Sequence, residues 1–265
     1  MNIGVVGLGV VGGAVYEGFK QLDHKVSSHD IKHNTTILDV VNTEICFICV
    51  PTPSKESGQC NTSIVESVVQ NLSVLNYKGI IAVKSTVTPG TVNRLKKAYS
   101  NLTICFVPEF LRERCAVEDF IENHDLCVIG ADEVEHFEKI KECHGHYPNQ
   151  FIHLPPLEAE LIKYFNNIYN ATLVTFANSF YEVCSALGAD YSKVKNTIVE
   201  REHINDVYLN CNESFRGFGG PCLPKDTKAI AHLAEKMNID VQFFETLLKE
   251  NSKYKITVYD GMREE

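Results

Sequence analysis

The sequence has no run of basic residues, no long apolar stretch and no cysteine framework, and each absence excludes a class of protein. A net charge of −9 without a Lys or Arg run lacks the basic footprint that polyanions require, so we expect no nucleic-acid partner. No apolar stretch reaches the roughly 20 residues that span a bilayer, and no basic leader precedes the strand-like run at Ile3. We therefore expect neither a membrane partner nor a signal peptide. Scattered thiols favour a reducing compartment, which predicts a cytoplasmic protein.

Two segments place possible metal ligands close together in the chain. Cys46 and Cys49 lie within one buried strand-like run, where side chains three positions apart face opposite sides and cannot share an ion. The run from Cys143 to His146 has no second cluster to complete four ligands. We predict no metal.

Hydrophobic periodicity divides the chain into an α/β part and a helical part. Up to Leu154, short apolar runs alternate with amphipathic ones, which is typical of a parallel sheet with crossover helices. The fold class predicted is α/β, a Rossmann-type parallel sheet domain followed by an all-α domain with a long central helix. The predicted boundaries are 1–154 for the sheet domain and 155–265 for the helical domain.

A long helix dominates the second part. Leu157 to Leu187 keeps helical periodicity for about eight turns, and Pro155-Pro156 suits its start. Its apolar surface exceeds what a small domain can cover, which predicts a homodimer formed through this helix. Shorter helices are predicted near Tyr191 to Val199, Asp226 to Lys236 and Val241 to Glu250.

The first strand-like run ends in a glycine-rich turn that opens a helix. Gly7 suits a tight turn, Gly9 lets a pyrophosphate approach the backbone, and Gly12 lets the helix lie close to the strand. The helix N-terminus presents free N–H groups to phosphates. Asp30, 18 residues beyond Gly12 at the end of the second strand, suits the ribose hydroxyls and repels a 2′-phosphate, so NAD is the predicted cofactor. The residues predicted to bind it here are Gly7, Leu8, Gly9, Val10, Val11, Gly12 and Asp30.

A second glycine-rich segment contains the candidate nucleophile. Cys222 follows three glycines and a proline and precedes a helix, so we expect it in a close-approach loop near backbone N–H groups that favour the thiolate.

This loop, Gly217-Phe218-Gly219-Gly220-x-Cys222-x-x-Lys225-Asp226, resembles the catalytic-loop signature of the UDP-glucose/GDP-mannose dehydrogenases. Four other segments are similar to motifs of that family and occur in its order. They are Val50-Pro51-Thr52-Pro53, Lys84-Ser85-Thr86-Val87, Pro108-Glu109-Phe110-Leu111-Arg112-Glu113, and Glu160-Leu161-x-Lys163-x-x-x-Asn167.

The resemblance implies NAD-dependent oxidation of a nucleotide-sugar C6 alcohol to the acid through a covalent intermediate. Cys222 then attacks the aldehyde, and the resulting thiohemiacetal is oxidised to a thioester that water hydrolyses. Lys163 and Asn167 stabilise the oxyanion. Glu109 helps to activate the water, Thr86 positions it, and Asp226 orients Lys163 and the water. The resemblance further assigns Val50, Pro51, Thr52, Thr86 and Glu113 to the cofactor, and Phe110, Leu111, Lys163, Asn167, Phe218 and Gly219 to the nucleotide-sugar substrate.

Several segments depart from the family pattern, and they leave other functions open. The family continues into a C-terminal nucleotide-binding domain, so we expect a short form without it. Glu202 to Asn205 stands where the family often has Arg-Ile-Gly. Arg114 follows Glu113 at a position where glycine is usual. In the turn after Val50-Pro51-Thr52-Pro53, Asn61 replaces a carboxylate. One alternative is a β-hydroxyacid-type dehydrogenase, which uses a lysine of the long helix and no thiol. The other is a non-catalytic NAD-binding dimer module.

Overall fold

The computed structural model describes residues 1–257, and the chain forms two compact units. The first comprises Met1–Pro53 and Cys60–Lys163; the second comprises Ser54–Gln59 and the chain from Tyr164 onward. Residues 258–265 of the predicted helical domain lie outside the described part.

The first unit contains a seven-stranded sheet of order β2-β1-β3-β4-β5-β6-β7. Its strands are β1 Asn2–Val6, β2 Lys25–His29, β3 Ile45–Ile48, β4 Ile80–Val83, β5 Thr103–Phe106, β6 Leu126–Gly130 and β7 Gln150–Leu154. All neighbouring strands are parallel except β5 and β6, which pair antiparallel at Phe106 and Gly130. The chain crosses from β2 over β1 to β3. The carboxyl ends of β1 and β3 therefore flank the switch point where α/β sheets bind ligands.

Helices of the first unit cover both faces of this sheet. They are α1 Val10–Gln21, α2 Ser63–Val74, α3 Thr91–Ala98, α4 Ala116–Ile121, α5 Val134–His144 and the start of α6, Pro156–Ala186. Cys46 lies in the core under α2 and α3, whereas Cys49 packs against the core under α1 and α4. The two thiols therefore occupy opposite faces of the sheet, as the strand period predicted.

The second unit is helical. Besides the rest of α6 it contains α7 Tyr191–Ile198, α8 Leu223–Lys236 and α9 Phe243–Asn251. Among its described residues, Ala177, Cys184, Tyr191 and Cys211 form one buried cluster. The prediction for α8 was wrong at its start: the helix begins at Leu223, not Asp226, because Pro224 is compatible with the first helical turn.

Candidate active site

The turn after β1 has the geometry of a phosphate-binding turn. Gly7 has a φ of +88°, and a Cβ there would lie 2.7 Å from the Cys49 carbonyl oxygen. A Cβ on Gly12 would lie 1.7 Å from the Gly7 carbonyl oxygen, whereas a Cβ on Gly9 would have no atom of the other described residues within 4 Å, apart from its chain neighbours and its own helix backbone. Gly9 is also the N-cap of α1, so open space adjoins a helix N-terminus whose first N–H groups lack intrahelical partners. These residues fit the pyrophosphate of a dinucleotide.

Asp30 stands directly after β2 and is fixed beside this turn. Its Oδ2 accepts the N–H of Leu8 at 2.6 Å, and its Oδ1 accepts the N–H of Lys32 at 2.8 Å. These backbone N–H groups, that of Leu8 first, lower the pKa of Asp30, so the side chain is a carboxylate at neutral pH. A carboxylate held at this edge suits the ribose hydroxyls of NAD.

Two further turns at the carboxyl edge of the sheet are tied together. Ser85 Oγ donates to the carbonyl of Val50 at 2.8 Å, and the Cys60 thiol lies 3.4 Å from the Thr86 carbonyl and 3.8 Å from that of Thr52. The structure thereby brings together the predicted residues Val50, Thr52 and Thr86. Sequence reasoning missed Ser85 and Cys60 as the groups that join these turns; for Ser85, its place directly after a buried strand was an available signal.

Glu109 and Lys163 form an ion pair in the first unit. Lys163 Nζ donates to the Glu109 carbonyl at 2.6 Å and to Oε1 at 3.1 Å, and both side chains are largely buried. Glu109 Oε2 accepts the N–H of Leu111 at 2.8 Å, and the Lys163 ammonium lies 5.8 Å from the centre of the Phe110 ring. The acidic loop thus surrounds the lysine with acceptors and one aromatic ring. A buried ammonium of this kind can bind a developing oxyanion.

The same loop is anchored further along by a bidentate ion pair. Arg112 donates from Nε and from a terminal guanidinium nitrogen to Asp119, and its backbone N–H bonds the same carboxylate. Arg112 lowers the pKa of Asp119, which keeps the pair charged. Glu113 follows at the start of a short 3-10 turn.

Asn167 and Asp226 are paired in the second unit. Asn167 Nδ2 donates to Asp226 Oδ2 at 2.6 Å, and both side chains are buried. The Lys225 ammonium lies 2.9 Å from Asp226 Oδ1, so a charged donor faces the second oxygen. A buried carboxylate placed in this way can orient both donors.

Cys222 caps the N-terminus of α8. All ten cysteines lie within the described residues and none forms a disulfide; of the ten, Cys222 alone is exposed. Its carbonyl accepts the N–H of Asp226 at 2.9 Å, and Gly220, two residues earlier, has a φ of +72° that favours glycine. The structure therefore presents an accessible thiol where the first N–H groups of a helix lack intrahelical partners.

Of the predicted substrate-binding residues in this loop, Phe218 is buried and Gly219 is half-buried. Both backbone polar groups of Phe218 bond the side chain of Asn251, a residue that sequence reasoning missed. A Cβ on Gly219 would lie 2.2 Å from Ile256 Cγ2, which explains glycine at this position.

Between residues 1 and 257, no three His, Cys, Asp or Glu side chains converge as a metal site. Over the same stretch, no helix combines the length and the apolarity needed to cross a membrane.

Two family models match the chain. Residues 33–147 match the NAD binding domain of the UDP-glucose/GDP-mannose dehydrogenase family, and residues 157–253 match the central domain of the same family. The predictions of an NAD-dependent family and of NAD as the cofactor are thereby confirmed.

Individual relatives agree with the family models. The chain is 33% identical over 223 residues to a UDP-glucose 6-dehydrogenase of Rickettsia bellii, an overlap covering 81% of this chain and 50% of that protein. It is 29% identical over 262 residues to a GDP-mannose 6-dehydrogenase of Pseudomonas syringae pv. tomato, covering 93% and 59%. The chain thus spans about half the length of the curated relatives it matches.

The fold is also shared with a solved structure. A UDP-glucose dehydrogenase from Pyrobaculum islandicum is similar with a TM-score of 0.87 and 26% identity, covering 95% of this chain and 68% of that one. The predicted α/β fold class is confirmed.

Proposed function

Because the chain belongs to the UDP-glucose/GDP-mannose dehydrogenase family, we propose that it oxidises the C6 alcohol of a nucleotide sugar to the acid, with UDP-glucose as the first candidate substrate. The observation that carries this proposal is the glycine loop that presents Cys222 at the N-terminus of α8. NAD, when bound, supplies the hydride acceptor for a four-electron oxidation. In this proposal the residues that hold NAD are Gly7, Leu8, Gly9, Val10, Val11, Gly12, Asp30, Val50, Pro51, Thr52, Thr86 and Glu113.

The covalent step belongs to Cys222. Its thiolate adds to the aldehyde carbon and forms a C–S bond, and the carbonyl oxygen takes the negative charge of the thiohemiacetal oxyanion. After oxidation to the thioester, water adds to the same carbon and the thiolate leaves, which releases the acid and restores the enzyme.

The residues that are paired by hydrogen bonds stabilise the negative charge of the intermediate and transfer protons. Lys163, held by Glu109 at 3.1 Å, stabilises the oxyanion together with Asn167. Glu109 accepts a proton from the hydrolytic water, Thr86 positions that water, and Asp226 orients its donors. Phe110, Leu111, Phe218 and Gly219 complete the substrate-binding set.

NADH formation with a panel of UDP-sugars, GDP-sugars and small hydroxyacids tests this function. We expect two NADH per molecule of sugar consumed, because alcohol-to-acid oxidation releases four electrons. One NADH per molecule of a small hydroxyacid would instead indicate the β-hydroxyacid-type reaction. NAD binding without turnover of any panel member would support a non-catalytic module and contradict the proposal.

The state of the cysteines supports a cellular location for this reaction. None of the ten cysteines forms a disulfide, a state that persists in a reducing compartment. We therefore place the enzyme in the cytoplasm.

Asp30 gives a prediction about cofactor choice. We expect NAD to bind at least about ten-fold more tightly than NADP, because a 2′-phosphate would meet the Asp30 carboxylate at close range. Asp30→Ala should lower the ratio of the NADP dissociation constant to that of NAD. Glu17→Ala, which removes an exposed carboxylate of α1, should leave this ratio unchanged. Titration calorimetry with both cofactors measures the ratio. Equal or tighter binding of NADP to the unmodified protein would rule out this role for Asp30.

The exposed face of α6 supports the homodimer. From Phe165 onward, six large apolar side chains that are between 42% and 79% exposed recur at helical spacing along this helix and the residue after it. They are Phe165, Tyr169, Phe176, Phe180, Val183 and Leu187. A second copy of the same helix covers such a stripe in an isologous contact, in which each copy presents the same residues.

Light scattering on dilute protein tests the dimer. We expect a mass near twice 29.7 kDa, and a shift to monomer when Phe176→Glu and Phe180→Glu are combined, because two charges would be buried in the contact. Ser185→Glu places one charge on the other side of the same helix and should leave the dimer intact. A monomeric wild-type protein would contradict the proposal.

A further inference from the structure

The side chain of Asn251 makes two hydrogen bonds to one peptide of the glycine loop. Its Oδ1 accepts the N–H of Phe218 at 2.9 Å, and its Nδ2 donates to the carbonyl of Phe218 at 2.9 Å. Asn251 is the last residue of α9, and both it and Phe218 are buried. A primary amide offers one acceptor and two donors on one rigid plane, so it pairs with an extended residue as a neighbouring strand would.

The segment that follows Asn251 continues this pairing. Thr257 Oγ1 accepts the N–H of Arg216 at 2.6 Å, and the Thr257 N–H donates to the carbonyl of Gly217 at 3.2 Å. A Cβ on Gly217 would lie 2.9 Å from Asn251 Oδ1. Residues 251–257 thus lie alongside residues 216–219, and the first two glycines of the loop are required by this close contact.

The hydrogen bonds from residues 251–257 reach residues 216–218 of the loop. Gly220 follows with a positive φ, a backbone conformation that favours glycine. Cys222 lies two residues further on, where α8 begins. The backbone entering Cys222 is therefore fixed on one side by the peptide of Phe218 and on the other by α8.

We propose that Asn251 is a positioning residue for Cys222, a role that rests on the proposed thiol chemistry. By fixing the Phe218 peptide, Asn251 sets the direction in which the loop enters α8 and so the place of the sulfur. Asparagine is required because an aspartate cannot donate to the Phe218 carbonyl and an alanine can bond neither group.

Two variants test this role. We expect Asn251→Ala and Asn251→Asp to lower kcat with UDP-glucose by up to about 10²-fold, since a displacement of about 1 Å has effects of that size. The KM for NAD should stay within about two-fold, because the glycine turn lies in the first unit. Alkylation of Cys222 by iodoacetamide, followed by peptide mass spectrometry, should slow by at least about five-fold as the thiolate loses its fixed place at the helix N-terminus.

Labelling of the other cysteines separates positioning from unfolding. Cys49 and Cys115 are half-buried and should label at the wild-type rate in both variants. Ser252→Ala is the matched control: Ser252 is exposed, and within residues 1–257 its hydroxyl donates to the Lys249 carbonyl at the end of α9. It should leave kcat and Cys222 alkylation unchanged.

Alkylation needs no substrate, so it distinguishes the two proposals. A wild-type protein that forms no NADH, but whose Cys222 alkylation slows in Asn251→Asp, would refute the proposed activity and support the positioning role. Cys222 alkylation within about two-fold of wild type in both folded variants would overturn the positioning role. Parallel acceleration at Cys49 and Cys115 would also overturn it, since Asn251 would then stabilise the fold as a whole.

Discussion

Cys222→Ser is expected to lose NADH formation with UDP-glucose by about 10³-fold or more while it keeps the affinity for NAD. A serine hydroxyl is much harder to deprotonate near neutral pH than a thiol, and its ester hydrolyses differently from a thioester. The NAD dissociation constant should remain within about two-fold, because Gly7, Gly9 and Asp30 are unchanged. Stopped assays that count NADH per sugar, together with intact-protein mass spectrometry, also detect a stalled partial oxidation or a trapped ester.

The control for this variant is Cys115→Ser. Cys115 is half-buried, and its thiol lies 3.6 Å from Asp119, so the change removes a thiol that has no role in the proposed chemistry. Its activity should equal that of the wild type. If Cys222→Ser also kept near-normal acid production while Lys163→Ala was inactive, the β-hydroxyacid-type reaction would replace the proposed one.

Lys163→Ala is expected to lower kcat by about 10²–10³-fold, or about 3–4 kcal/mol of transition-state stabilisation, through loss of the oxyanion partner. Glu109 would then lack the ammonium that lies 3.1 Å from its Oε1, so the melting temperature should be measured beside the rate. Cys222 alkylation should be unchanged, because the nucleophile is intact. The exposed Lys193 of α7 offers a matched variant, Lys193→Ala, with expected wild-type kinetics.

A double variant with Cys222→Ser and Lys163→Ala tests whether the two residues act on the same intermediate. Cys222 and Lys163 act on one intermediate, so the double variant should be scarcely slower than Cys222→Ser alone. Rate losses that add on a logarithmic scale would show that the two residues serve independent steps, and would contradict a shared thiohemiacetal.

Much of the fold and of the cofactor turn was predictable from local sequence. The alternation up to Leu154 and the helical period from Leu157 predicted the sheet and a helix that the structure has at Pro156–Ala186. Both patterns depend on which side chains share a face, a property of neighbouring residues. Gly7 and Gly12 were predictable for a similar reason, because the tight turn and the close packing of strand and helix each require glycine.

Contacts between residues far apart in the chain could not be predicted from the sequence. The antiparallel contact of β5 with β6 depends on how the chain returns to the sheet, which hydrophobic alternation does not encode. The start of α8 at Leu223 was missed because the glycine-rich loop pattern extended over the residues that form its first turn. The predicted boundary at 154/155 stays a prediction.

The sequence by itself predicted the residues of the proposed chemistry: the glycine turn and Asp30 from their short, fixed spacing, and Cys222 and Lys163 from the resemblance of their segments to family motifs. Only the tertiary structure decided which groups hold them. Lys163 pairs with Glu109 from 54 positions away, Asn167 with Asp226 from 59, and Asn251 with Phe218 from 33. Such pairs form because burial makes an unpaired polar group costly, and burial is a property of the packed chain, which local residue order leaves open.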